Sequence, residues 1–432
     1  LSAALFIKTK TIDSLNLPQA MAWLQHQAGP NFAWENPTQD HLLIASGQIL
    51  EVSLQQAVNF NDLNNLLQQA QQQLGDLSAK ELSHLKVVGG FPFNIHQLGA
   101  EVWQNLKGGR LWIPHILIER RQNTNYLTLI ESNPHQINSH WNKVFHQIQT
   151  TSPLKAQRYS LTDVQELALL QYQNSLKIAL QKIATGSLKK VVVGRFAVGN
   201  LTAVQPAAVW LQLRDSQPDV YHILIQDQQT AFLSATPERL LATKKQHFQT
   251  AAVAGTIRRD SNPIIDQQLQ QDLLHDYKNL QEQDLVVQWI KTALQKLHLQ
   301  VSAPMTPQII QTATVQHLYT SIQADGFANP AQVLAQLHPT PALGGLPKAA
   351  ALNFLKNHES ESRGMFGAPI GYLDANNQGE FAVGIRSCLL TPDQIRLFAG
   401  SGIINGSEIN IETQETHNKL QAMLSAFQIE DR

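Results

Sequence analysis

The stretch SLKKVVVGRFAV, residues 187–198, restricts the fold more than any other: two lysines abut three consecutive valines, and after Lys190 almost no position suits solvent. A surface strand alternates polar with apolar residues, so this run reads as a buried strand with an amine at its mouth. Either lysine can simply mark the wet end of the strand. If side chains alternate, Lys190 shares a face with Val192 and Gly194, a desolvated setting in which lysine serves as a base near neutral pH.

The elements around this strand are mixed. Residues 1–150 read as short strands (HLLIASGQILEV, LKVVGGFPF, RLWIPHILIERR, TNYLTLIES) with a Gln-rich amphipathic helix around 53–74, and no residue constellation there points to chemistry. Turn formers in TSPLKAQRYSLTD lead to a helix in which Tyr172, Leu176, Ala179, Leu180 and Ile183 recur at helical spacing, stopped by Gly186. The remaining order is strand 189–198, helix near 203–214, strands 219–227, 230–236 and 247–253, and a long helix about 263–298. More helix and strand follow, then a C-terminal helix. There is no regular βαβ alternation and no internal repeat, which favours an α+β fold, with residues 1–150 and 151–432 as two portions of one unit.

Composition narrows the function. Of 432 residues, 43% are hydrophobic and 15% charged, enough for an extensive core. With 32 basic against 33 acidic residues, nothing suggests nucleic acid or a membrane surface as partner, so an anionic ligand must be handled by local groups. The single cysteine, Cys388, makes no disulfide or zinc cluster, and no segment has the apolar length of a signal or a membrane span. A cytosolic location is expected.

Several stretches carry candidate chemistry. In AFLSATPERL, Pro237 disfavours helix at Thr236, so Glu238 is delivered by a turn; a solvated glutamate opening a helix reads the same way. In DYKNLQEQDLVVQWI, helical spacing from Glu282 gives Leu285, Val286, Trp289 and Ile290, which places the carboxylate in an apolar stripe where a cation or metal would compensate it. In EINIETQETHNKLQAML, Glu412, Glu415 and Lys419 fall on one helix face. That face is either an exposed salt-bridged surface or, with Glu282, an oxygen-donor set for Mg²⁺. Arg386 in EFAVGIRSC shares a strand face with Ala382 and Gly384, leaving room for a carboxylate to meet the guanidinium. Gly400, Ser401 and Gly402 in FAGSGIINGS allow backbone N–H groups close to an anion. Either stretch also reads as a core ion pair or a tight turn.

Together these stretches resemble the chorismate-utilising enzymes, and within them the isochorismate synthases. The resemblance covers roughly residues 165–428 and rests on KKVVVGR, FLSATPERL, AVAGTIRR, KNLQEQDLVV, VQHLYTSI, LHPTPALGGLPKAAALNFL, RGMFGAPIGY, GEFAVGIRS, FAGSGIINGS and ETQETHNKL, all in family order. It implies two large antiparallel sheets forming a sandwich with helices outside, and Mg²⁺-dependent chemistry on chorismate. By the same resemblance Lys190 is the general base that activates water for attack at ring C2, and Glu238 the general acid for the departing C4 hydroxyl. Glu282 and Glu415, with Glu412 adjacent, fall on metal positions. Arg386 and Gly400 to Gly402 match positions that hold the enolpyruvyl carboxylate, with Lys419, Gly255, Thr256, His317 and Ala342 as other pocket positions.

Within that family, Ala254 stands where amine-adding relatives carry a nucleophilic lysine, which favours water. HPTPALGG also resembles isochorismate synthases. Gln283, Phe366 and Ser234 depart from the usual His or Asn, Tyr and Gly. The expectation is an isochorismate synthase of menaquinone or phylloquinone synthesis with no obligatory protein partner. The alternatives are a siderophore-pathway enzyme, a salicylate synthase, and a non-catalytic or glutaminase-dependent chorismate-binding subunit.

Overall fold

The computed structural model describes residues 4–429 except 53–54, 57, 96–99 and 313–314. The larger of two sheets runs Phe6–Ile12, Thr124–Glu131, Ile116–Arg121, His41–Ser46, Asn31–Glu35, Tyr221–Asp227, Thr230–Thr236, Ser387–Leu390, Gln394–Ile403, Lys190–Asn200, Ser160–Glu166, Gln428–Ile429. The smaller runs Gln300–Ser302, Val315–Asp325, His247–Arg258, Arg239–Lys244, Gly379–Val383, Pro369–Asp374, Lys86–Gly90, Arg110–Ile113, Leu50–Glu51. Neighbours along both paths are antiparallel except the terminal pair, where Gln428 runs parallel to Ser160.

In the central strands, residues alternate between two cores rather than between core and solvent. In Thr230–Thr236, Phe232 packs between the sheets while Ala231, Leu233 and Ala235 face the opposite way. The inter-sheet layer is aromatic, with Trp34, Trp103, Trp112, Phe196, Phe232 and Phe398. Helices Leu17–Gln25, Ile137–Thr150, Pro206–Ser216 and Ile409–Leu424 cover the larger sheet. Asn61–Leu74, Tyr277–Gln295 and Pro330–Leu337 cover the smaller, while Lys348–His358 packs beside Lys190–Asn200 of the larger. The fold is the expected α+β antiparallel sandwich with helices outside.

Two adjacent chain segments pass from one sheet to the other. After Thr236 the chain leaves the larger sheet and enters the smaller at Arg239, and after Val383 it returns to the larger at Ser387. The passages are stitched together: Val383 N–H donates to the Glu238 carbonyl (2.9 Å), Ala235 N–H to the Arg386 carbonyl (3.1 Å), and the Ser234 hydroxyl to the Ile385 carbonyl (2.6 Å).

The topology repeats where the sequence does not. Outward from the central pair Asn31–Glu35 and Tyr221–Asp227, the larger sheet has the same connectivity on both sides. His41–Ser46 corresponds to Thr230–Thr236, Ile116–Arg121 to Ser387–Leu390, Thr124–Glu131 to Gln394–Ile403, and Phe6–Ile12 to Lys190–Asn200. In the smaller sheet, Lys86–Gly90 and Pro369–Asp374 form the corresponding junction. The helix Ile137–Thr150 thereby corresponds to Ile409–Leu424.

Some element boundaries differ from expectation. The long helix is two helices, Pro263–His275 and Tyr277–Gln295, because Asp276 adopts extended backbone and caps the second through the Asn279 N–H (2.8 Å). The Gln-rich helix spans Asn61–Leu74, and the expected start at 53–54 and 57 lies outside the described residues. The strand ending at 253 continues to Arg258, through a register shift between Ala254 and Thr256.

Phe232 is fully buried, with ring centroids 5.8 Å from Trp103 and 6.4 Å from Phe398. Phe232→Ala should therefore lower unfolding free energy by about 3–5 kcal/mol in urea titrations; a loss under about 1 kcal/mol would show that the inter-sheet layer does not carry the fold.

Candidate active site

A cavity of about 280 Å³ opens beside the two sheet passages, lined by residues of both passages, the strands Lys190–Asn200, His247–Arg258, Val315–Asp325 and Gln394–Ile403, and the helices Tyr277–Gln295 and Ile409–Leu424. It brings Glu238, Gly255, Thr256, Glu282, His317, Ala342, Arg386, Gly400, Gly402, Glu412, Glu415 and Lys419 to one space. Lys190 lies behind this wall, against Gly402: a Cβ built on Gly402 would stand 3.2 Å from Lys190 Cε and 3.2 Å from Glu282 Oε1. The missing side chain leaves the amine and the carboxylate room to meet.

Glu238 occupies the first passage, between two strands rather than at a helix start. Burial pushes its carboxyl up to about 7, opposed by the positive charges of Lys190, Lys419 and Arg386. Arg386 occupies the second passage. Its expected place on a strand face with Ala382 and Gly384 is not what the chain does: the strand ends at Val383, and Arg386 takes φ +46° at the turn into the other sheet. Burial lowers its guanidinium to about 10, with Glu238 acting in the opposite sense.

Arg386 Nη2 donates to His317 Nε2 (2.6 Å), so the ring proton resides on Nδ1, 2.9 Å from the Thr256 hydroxyl. Burial, then the charges of Arg386 and Lys419, hold His317 well below the usual imidazole range, and it is a neutral acceptor. Thr256 faces it because Gly255, at φ +68°, forms the bulge that shifts the register. Beside it, Ala254 lines the cavity, and its backbone N–H is held by Gln283 Oε1 (2.9 Å). Gln283 also donates to the Ala252 carbonyl (3.0 Å) and Thr320 (2.8 Å), fastening the helix that presents Glu282.

Each of the three cavity glutamates expected to bind metal meets a lysine. Lys190 Nζ lies 2.6 Å from Glu282, Lys419 Nζ 2.5 Å from Glu415, and Lys278 Nζ 3.5 Å from Glu412. Glu415 sits below the usual carboxylate range: burial acts to raise it, but Lys419, Lys278 and Lys190 together outweigh that. Glu412 is raised, by burial and then by its neighbour Glu415. The expected cage is not preformed, since the donor atoms of these three residues are not all within 4.8 Å of one another. Mutual repulsion and the three lysines keep them apart. As carboxylate oxygens they still fit Mg²⁺, which needs one or two protein carboxylates and fills its other positions with water and substrate.

Ser401, expected to meet the substrate through the backbone of Gly400 to Gly402, turns its side chain away: its hydroxyl is 2.8 Å from Tyr172 on the helix Leu169–Ala184, because strand alternation sends it opposite to Gly400 and Gly402. Gly400 presents its carbonyl to Lys419 Nζ (2.9 Å). Phe366 stacks on Phe398 (5.5 Å, 16°) and forms an apolar wall. Sequence reasoning missed Lys278, Asn279 and Arg363 in the lining. Lys278 lies four residues before Glu282, so the helix phase that selected Glu282 would have found it. Arg363 carries no local signal; it clamps the Leu343 carbonyl (2.8 Å), the Val192 carbonyl (2.5 Å) and Glu359 (2.5 Å).

The raised Glu238 carboxyl has a consequence for stability. Its folded value of about 7 exceeds the ordinary 4.5, so the stability it contributes at low pH is lost as pH rises from about 4.5 to about 7. The loss is on the order of 3 kcal/mol. Glu238→Gln should melt progressively higher than the parent across that window, with a constant gain above it. Parallel melting profiles would show that the carboxyl is not desolvated.

A family model described as "Chorismate binding enzyme" matches residues 2–428. The isochorismate synthase MenF of Bacillus subtilis is 28% identical over 414 residues, covering 92% of this chain and 88% of that protein. The salicylate biosynthesis isochorismate synthase of Pseudomonas aeruginosa is 38% identical over 259 residues, which is 60% of this chain and about half (54%) of that protein. Among solved structures, the menaquinone-specific isochorismate synthase MenF from Escherichia coli superposes with a TM-score of 0.82 at 28% identity, covering 98% of this chain and 95% of that one. Anthranilate synthase component I from Streptococcus pneumoniae shares the fold, at TM-score 0.73 and 18% identity, over 89% of this chain and 92% of that one. With residues 2–428 matched by the family model, the chain belongs to the chorismate-binding enzymes.

Proposed function

We propose that the chain is an isochorismate synthase, converting chorismate to isochorismate by adding water at ring C2 and expelling the C4 hydroxyl. The observation that carries this is Glu238, a carboxyl with a raised pKa in the same cavity as Arg386 and the lysine-paired glutamates. Chorismate carries two carboxylates, and Arg386, fixed by His317, offers a planar donor to one of them. In its neutral form Lys190 takes the proton of the attacking water, and Glu238 protonates the leaving hydroxyl, which departs as water. Each turnover thus leaves Lys190 one proton richer and Glu238 one poorer, and solvent exchange resets both. Mg²⁺, held by Glu282 and Glu415 with Glu412 near, would supply positive charge to the ring carboxylate. The apolar face at Ala254 provides no amine to compete with water.

Whole-length similarity to two MenF proteins supports a role in menaquinone synthesis. No helix among the described residues is long and apolar enough to cross a membrane.

Purified protein with chorismate and Mg²⁺ should yield isochorismate without pyruvate or added ammonia; stoichiometric pyruvate would indicate salicylate formation instead, and no turnover a binding subunit. Lys190→Ala and Glu238→Gln should each lower kcat on the order of 10²-fold or more while keeping far-UV circular dichroism unchanged, and near-normal rates would refute the assignment. Because Glu238 must be protonated to act, kcat/KM should fall as pH rises above about 7. A profile flat from pH 6 to about 9 would contradict its role as the acid.

A further inference from the structure

We propose a second metal site, for a divalent transition ion of the zinc class, at His115, Glu131 and His140 in the N-terminal half. The nitrogen and oxygen donors of these three residues all lie within 4.8 Å of one another, and no other trio of His, Cys, Asp or Glu among the described residues does so. His115 Nε2 is 3.3 Å from Glu131 Oε1, close to the separation of two ligands on a tetrahedral zinc ion; His140 Nδ1 meets the same oxygen, and the two rings stand 5.3 Å apart.

The donors come from three rigid pieces. His115 is held by its N–H to the Gly47 carbonyl (3.4 Å) and its carbonyl to the Ile130 N–H (3.0 Å), Glu131 ends the strand Thr124–Glu131, and His140 lies in the first turn of Ile137–Thr150. Among the described residues no lysine or arginine pairs with Glu131, unlike Glu282, Glu412 and Glu415 of the cavity. The side chains are partly open, at 29% for His115, 11% for Glu131 and 32% for His140, so an ion can enter and keep a water. Two imidazoles and one carboxylate select zinc, cobalt or nickel over magnesium.

The position repeats the cavity's. His115 sits on the passage from Ile113 to Ile116, the counterpart of the passage that carries Arg386, and His140 is on the helix corresponding to the one that carries Glu412 and Glu415. The strand Thr124–Glu131 is seven strand spacings from Gln394–Ile403, roughly 30 Å along the sheet. An ion there would clip helix to sheet edge without touching substrate.

Titration with Co²⁺ in excess Mg²⁺ tests this. One equivalent should bind with the visible absorption of a tetrahedral or five-coordinate ion, and Zn²⁺ should displace it and raise Tm by several degrees. Both signals should vanish in His140→Ala and in Glu131→Gln and persist in Glu282→Gln, with chorismate turnover unchanged in the first two. Loss of the bound equivalent in Glu282→Gln, its persistence in both N-terminal variants, or the absence of any bound equivalent in the parent protein would overturn the proposal.

Discussion

The rest of the site depends on two neighbouring strands that change sheets side by side. At such a passage the ladder is interrupted, and the side chains carried there line the cavity. Glu238 and Arg386 occupy those two interruptions, and backbone bonds between Glu238 and Val383 and between Arg386 and Ala235 fix their separation. Ser234 strengthens the second passage through the Ile385 carbonyl, so this hydroxyl has a mechanical use where relatives are expected to carry glycine. Burial at the same place raises the Glu238 carboxyl and lowers the Arg386 guanidinium. One geometric event thus positions the acid and sets its proton affinity.

Charge in the cavity is arranged as acid–amine pairs. Glu282, Glu412 and Glu415 would repel one another if left alone, and Lys190, Lys278 and Lys419 relieve that repulsion, with Lys278 and Lys419 also lining the cavity. A near-neutral chain can therefore hold a dianion without a basic surface. Gln283, tied to two strands, and Gly402, which leaves room between Lys190 and Glu282, support the arrangement without contributing charge.

Legibility in the sequence followed local anomaly. Lys190 beside valines, Glu238 after Thr-Pro and Glu282 in an apolar helix stripe each break the pattern around them, and each belongs to the cavity or stands directly behind it. Arg386 was legible as a residue but not as a conformation, because Ala382 and Gly384 continue strand spacing past the real strand end at Val383. The stretch around Ser401 reads as a source of backbone N–H groups, and the strand alternation that turns its side chain toward Tyr172 carries no signal in the flanking glycines. His115, Glu131 and His140 are separated by intervals that match no motif, and only the passage and the following helix bring them together. The twofold topology is likewise carried by chain path and not by repeated residues.

A crystal structure of the protein with Mg²⁺ and bound chorismate or isochorismate would show where the ring lies relative to Lys190 and Glu238. The ring is expected between Lys190 Nζ and the Glu238 carboxyl, one on each face, with the enolpyruvyl carboxylate on Arg386 and the metal on Glu282 and Glu415. A ring bound with Lys190 and Glu238 on the same side, or with Glu238 beyond hydrogen-bond reach of the C4 oxygen, would contradict it.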